Sequence, residues 1–192
     1  AKLGMDTTSI RFSALFAAQN RWKSLLLFFK KVYSILIFSS LIFSFVMYFL
    51  SDIIADFLNI NSEYIRTFSY FILPMVFFVL HYQSLRGLKK IAAFSFYYRM
   101  SQALFAIIII LILLQFSNDP SIPFYAYIIS LLLVSILSFI SFWNVLKEKN
   151  NNYEEEIIEH QTLKDILVIA LPLMLAQSVQ LIMVWTDKLM IG

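Results

Sequence analysis

Five ionisable side chains lie in or beside stretches otherwise built of apolar residues: Lys2, Asp6 and Arg11 towards one end of the chain, Asp187 and Lys188 towards the other. A charge at bilayer depth costs about 2.5–3.5 kcal/mol on insertion scales, so such a residue is a functional candidate by default. Lys2 and Asp6 are four apart and can share one helix face, partly neutralising each other. Arg11 either faces a water-filled cavity or snorkels to the inner headgroups. Asp187 must be solvated or paired where it sits, in a cavity or at an interface, and Lys188 points elsewhere on a helix. His81, with an ordinary pKa of about 6.5, is either a proton relay or a satisfied interfacial imidazole. Pro74 and Pro172 each delete a backbone hydrogen bond and crowd the preceding turn, which makes them hinge candidates or passive kinks.

Other chemistries are absent. The three glycines, Gly4, Gly87 and Gly192, cannot form a Gly-rich phosphate loop, so this stretch holds no ATP-hydrolysing motif. With no Cys and two distant His residues, disulfides, thiolate nucleophiles and Cys-based metal sites are excluded, and no cofactor, metal or catalytic residue is expected. The net charge of +3 suits a record of membrane orientation better than an anionic partner. Nucleic acid is not an expected partner, since Glu154, Glu155 and Glu156 in the most polar tract would repel phosphates.

The elements that must position these residues follow from where charge is missing. Of 192 residues 60% are apolar and 14% charged, well outside the soluble range. Five runs carry no charge at all: Val32–Ser51, Thr67–Leu85, Met100–Asn118, Pro120–Leu146 and Ile166–Thr186. Each is long enough to cross a hydrocarbon core about 30 Å thick. The fold class expected is therefore all-α, a polytopic integral membrane helix bundle. Among the connectors, 19–31 holds Arg21, Lys23, Lys30 and Lys31; 86–99 holds Arg86, Lys89, Lys90 and Arg99; 147–165 holds Lys147, Lys149 and Lys164. The intervening connectors hold one basic residue, Arg66. By the positive-inside rule, connectors 19–31, 86–99 and 147–165 are cytoplasmic.

Three segments are expected: a transmembrane lobe over 1–146, a solvated linker over 147–165, and the first helix of a second lobe over 166–192. Leu3–Ala18 reads as the inner part of a helix whose outer part precedes residue 1, which would make the chain a piece of a longer protein. The aromatic residues Phe96, Tyr97, Tyr98, Phe124, Tyr125 and Tyr127 read as an interfacial belt.

Three stretches resemble a known family. Gly4-Met-Asp6-Thr-Thr-Ser-Ile-Arg11-Phe, followed by Arg21 and Lys23, resembles the cytoplasmic end of the second helix of the multidrug/oligosaccharidyl-lipid/polysaccharide (MOP) exporter superfamily. Leu163-Lys-Asp-Ile-Leu-Val-Ile-Ala-Leu-Pro172-Leu-Met-Leu, running on to Thr186-Asp187-Lys188-Leu-Met-Ile-Gly192, resembles its seventh helix. Leu85-Arg86-Gly87-Leu88-Lys89-Lys90 resembles the turn between helices four and five. Within the superfamily the likeness is to bacterial polysaccharide flippases of O-antigen type, over helices two to seven.

The resemblance implies a MATE-like transporter lobe in the bacterial inner membrane. Its cargo would be an undecaprenyl-diphosphate-linked oligosaccharide, its partners membrane lipids and, as coupling ion, Na⁺ or H⁺. Arg11 and Lys2 would bind the diphosphate, Arg11 foremost; Asp6, Asp187 and Lys188 would line the cavity, with Asp187 serving a coupling ion, a sugar hydroxyl or a balancing cation. Two rivals stand beside this. A cation-coupled multidrug antiporter of the same superfamily would want a membrane-depth carboxylate set. A membrane-embedded polyprenyl-glycan enzyme would want an acid/base or metal cluster, for which the outer loops offer Asp52, Asp56, Glu63 and Asp119.

Overall fold

The computed structural model describes residues 4–116, 119–150 and 163–191, and every regular element among them is helical. In chain order these are α1 (Met5–Ala18), α2 (Trp22–Phe49), α3 (Ser51–Leu58), α4 (Ser62–Tyr70), α5 (Ile72–Gly87), α6 (Ile91–Ser95), α7 (Gln102–Leu113), α8 (Ile122–Asn150) and α9 (Leu163–Ile191). A π-helical turn, Phe96–Ser101, joins α6 to α7, so that Ile91–Leu113 forms one span. With Trp22–Phe49, Ile122–Lys149 and Ile166–Lys188 it gives four helices long and apolar enough to cross a membrane. The pair α4 and α5, bent by 49°, is apolar and long enough to make a fifth only when the two are taken together as one broken span. Large apolar side chains such as Phe38, Leu111 and Leu175 point outwards, as a lipid-facing surface requires. The protein is an all-α, multi-pass membrane helix bundle.

The helices begin and end at points the charges did not mark. Only Gln19–Arg21 separates α1 from α2, and Lys23, Lys30 and Lys31 lie on α2 itself. Likewise α6 begins at Ile91 and Arg99 sits in the π-helical turn, so connector 86–99 shrinks to the turn Leu88–Lys90. Of 147–165, residues 147–150 continue α8 and 163–165 open α9; residues 151–162 lie outside the described residues. The reason is length. A 28-residue helix such as α2 is about 42 Å long and overshoots the hydrocarbon, and Lys and Arg stems tolerate its edge. Two of the short turns, α1–α2 and α5–α6, close on residues in the left-handed conformation, Asn20 (φ 56°) and Lys89 (φ 60°).

At the opposite ends, α3 stops on left-handed Asn59, and the Asn61 side chain caps α4 by accepting from the Glu63 N–H at 2.9 Å. Arg66 reaches back from α4 to both carboxylate oxygens of Asp52 (2.9 and 2.8 Å) and to the Ser51 hydroxyl. Asp119 Oδ1 accepts from the Ser121 N–H and hydroxyl ahead of α8, and these bonds hold its carboxyl below the usual carboxylate range. Asp52 and Asp119, two of the outer carboxylates that the enzyme reading would draw on, are thus engaged in local structure.

The core lies among α1, α2, α5 and α8 and is aromatic. Phe12 meets Phe28 at 4.7 Å between ring centroids, and Phe29 meets Phe142 edge-on at 4.7 Å. Serines fill the remaining close contacts; Ser39, Ser40, Ser84, Ser130 and Ser138 are all buried, as expected where helices approach closely in a membrane. Ile166 and Ala170 of α9 belong to this same core, because they dock on α1. Beyond that docking, α9 from Val179 to Lys188 is exposed on all sides.

Candidate functional site

Helix α1 starts where a side chain is impossible. Gly4 takes φ +70°, and a Cβ there would collide with the carbonyl oxygen of Ala170 and the backbone of Met174. The left-handed residue sets the start of α1 at Met5; Leu3, the expected start of this segment, lies outside the described residues. The same close approach lets α9 cross α1 with backbones nearly touching. It brings together two of the stretches on which the family resemblance rests.

One turn further on, Asp6 and Thr7 face α9. Gln177 Nε2 donates to Asp6 Oδ1 at 3.3 Å and to the Thr7 hydroxyl, while the Thr7 N–H donates to the same Asp6 oxygen at 2.9 Å. Beside this cluster lies a cleft of about 640 Å³ lined by Asp6, Phe43, Ile72, Met75, Gln177 and Leu181 among others. Depth follows from the neighbours. Asp6 borders Leu36, Val76 and Leu80, all inside charge-free runs, and stands about 18 Å along α1 from Ala18. A half-buried carboxylate therefore sits at the level of the hydrocarbon, where it requires polar partners.

Arg11 does not join it. On α1 it lies with Leu15 and Ala18 on the exposed face, about 140° round the helix from Asp6 at 100° per residue. The level is set by Gly87: a Cβ there would come within 2.6 Å of the Ile10 carbonyl oxygen and 2.8 Å of Ser13 Cβ. Arg11 thus stands beside the α5–α6 turn, at the basic end of the bundle. Lys2 lies outside the described residues. Asp187 and Lys188 are ten and eleven residues beyond Gln177 on α9, about 15 Å or more along the helix, and both are exposed; the Lys188 ammonium sits 5.1 Å from the centre of the Trp185 ring. The structure thus gathers Asp6 with Gln177 and Thr7, and leaves Arg11, Asp187 and Lys188 apart from them.

The prolines behave differently from each other. The 49° bend falls at Phe71, just ahead of Pro74, whose missing N–H leaves the helix without its first-turn bond to Tyr70. Hydroxyls from neighbouring helices hold the bend: Ser44 donates to the Ser69 carbonyl at 2.6 Å and Ser135 to the Pro74 carbonyl at 3.1 Å. Pro172 lies inside an uninterrupted α9.

The chain matches no family model, no curated protein and no solved structure. The functional reading therefore rests on residues and their geometry.

His81 is packed inside the bundle: it is 1% exposed, its Nε2 shares a 2.7 Å hydrogen bond with the Tyr33 hydroxyl, and Phe77, Phe139 and Phe142 surround it. Of the expected aromatic belt, Phe124 and Tyr97 are half-buried, Tyr97 donating to the Leu137 carbonyl, whereas Phe96, Tyr98, Tyr125 and Tyr127 are exposed as a belt requires.

Sequence reasoning missed Gln177 and Thr7. The available signal was an amide in a charge-free span, since such groups seek partners across helices. It also missed the buried Ser9 and Ser13 hydroxyls and the Gln83 amide oxygen, which have no hydrogen-bond partner among the described residues. Ser84, by contrast, bonds the carbonyl four residues back.

Proposed function

We propose that the chain forms part of a MOP-type transporter that turns a polyprenyl-diphosphate-linked oligosaccharide from the inner to the outer leaflet of the bacterial inner membrane by alternating access. The observation that carries this reading is the meeting of α1 and α9 at Asp6 and Gln177, at hydrocarbon depth and beside an open cleft. A glycan headgroup cannot cross hydrocarbon unless protein groups replace its water. Carboxylate, amide and hydroxyl groups are the partners sugar hydroxyls need. The docking of α9 on α1 through Gly4 also joins the expected first helix of a second lobe to the first lobe, and movement at such a junction exchanges access from one face to the other.

A cation-coupled antiporter of the same superfamily is the second reading, favoured by one feature: the charged group in the cleft is a carboxylate, whereas Arg11 lies elsewhere.

The test is reconstitution in liposomes with fluorescent lipid-linked oligosaccharide and, separately, with cationic drugs. The flippase reading expects glycolipid transfer that falls at least tenfold in Asp6→Asn and Gln177→Leu. Drug efflux with no glycolipid transfer would replace it by the antiporter.

A further inference from the structure

A second cavity lies on the other side of α2, between it and α8. It is a groove of about 360 Å³ whose walls are Leu26, Phe29, Tyr33, Phe142, Trp143 and Leu146, with Lys30 at its rim. Its position is fixed by the charge pattern. Lys30 and Lys31 immediately precede the charge-free run Val32–Ser51, and Leu146 is the last residue before Lys147. The groove therefore straddles the edge of the hydrocarbon at the basic ends of the helices, the side the positive-inside rule makes cytoplasmic. Its floor is rigid, because Phe29 and Phe142 are fully buried and pack edge-on, and the Tyr33 hydroxyl is held by His81. Trp143 is 46% exposed and closes one side.

We propose that this groove is a binding site for an anionic phospholipid of the inner leaflet, with an acyl chain laid along the aromatic wall and the phosphate at Lys30. The occupant follows from complementarity. The walls are apolar over most of their extent and suit a hydrocarbon chain; the single charge is a cation at the mouth, at headgroup level, and suits a phosphate rather than choline or another cation. An indole at the same boundary sits where its ring is stable, half in hydrocarbon and half in the headgroups. The site is independent of the transport reading, as it shares no residue with the Asp6–Gln177 cleft.

Trp143 makes the site measurable. The full chain carrying Trp22→Phe and Trp185→Phe, so that Trp143 alone emits, is reconstituted in phosphatidylcholine vesicles containing either brominated phosphatidylglycerol or, at equal mole fraction, brominated phosphatidylcholine. Brominated phosphatidylglycerol is expected to quench Trp143 with about fivefold preference, the size of one lysine–headgroup attraction. That preference should vanish in Lys30→Gln and persist in Lys89→Gln, a control at the same membrane face. Because the tryptophan replacements could disturb folding, native mass spectrometry of the unmodified chain and of Lys30→Gln provides a second measurement: retained phosphatidylglycerol adducts should be lost with Lys30. Equal quenching by the two lipids, or a preference that survives Lys30→Gln, would overturn the proposal. So would displacement of phosphatidylglycerol by polyprenyl diphosphate at equimolar concentration, which would assign the groove to that lipid instead.

Discussion

Gln177 of α9 donates to Asp6 of α1 at 3.3 Å, across the Gly4 contact that lets the two helices touch. Asp6 is also bonded by the Thr7 N–H, so a single carboxylate oxygen serves both its own helix and the neighbouring one. In a membrane such an interhelical bond is worth about 0.6 kcal/mol on average and at most about 1.7, since the separated helices find other partners. A double-mutant cycle with Asp6→Ala and Gln177→Ala, read by thermal unfolding in detergent, should give a coupling energy of that size. Zero coupling would mean that the Asp6–Gln177 bond contributes nothing to holding α9 on α1.

Gly87 carries the α1–α5 contact. The atoms a Cβ would meet are backbone and Cβ atoms rather than the ends of flexible side chains, so Gly87→Ala can be accommodated only by moving one helix. Destabilisation of about 1–3 kcal/mol is expected, the usual cost of overpacking, seen as a lowered unfolding midpoint. An unchanged midpoint would show that the helices can separate at no cost.

The Tyr33–His81 pair supplies a test of the core. Tyr33→Phe leaves His81 Nε2 buried without its partner, while Nδ1 already lacks one among the described residues. The expected cost is about 1–3 kcal/mol. Adding His81→Leu removes the stranded imidazole, so the double variant should recover part of that loss. If instead the two costs simply add, the hydrogen bond is not what Tyr33 contributes.

These three relationships differ in how far the sequence announces them. The spans were legible because bilayer thickness and the cost of charge act on every residue alike, and the charge-free runs mark all five apolar segments. Their ends were not, because Lys30, Lys31 and Arg99 have stems long enough to leave hydrocarbon without ending a helix. Asp6 was legible as a charge beside an apolar stretch, there paired with Lys2; Gln177 was not, since its significance depends on which face of α9 meets α1. That is decided by Gly4, which carries no side chain to read. Arg11 shows the limit of sequence proximity: five residues from Asp6, it faces another way.

That separation makes Arg11 the sharpest test of phosphate binding. Its side chain is exposed on α1, so Arg11→Ala should change stability by no more than about 0.5 kcal/mol, the range for surface substitutions away from special features. If the guanidinium receives the diphosphate at the basic end of the bundle, glycolipid transfer should nevertheless fall about tenfold or more, because a charge-assisted bond to phosphate contributes about 1.5–3 kcal/mol. Arg11→Lys should restore only part of the rate, since an ammonium keeps the charge but not the two-pronged geometry. Lys2→Ala in the same background should deepen the loss if both cations hold the headgroup. Transfer unchanged in Arg11→Ala and in the double variant would remove the phosphate role from this helix and leave Asp6 and Gln177 as its functional residues.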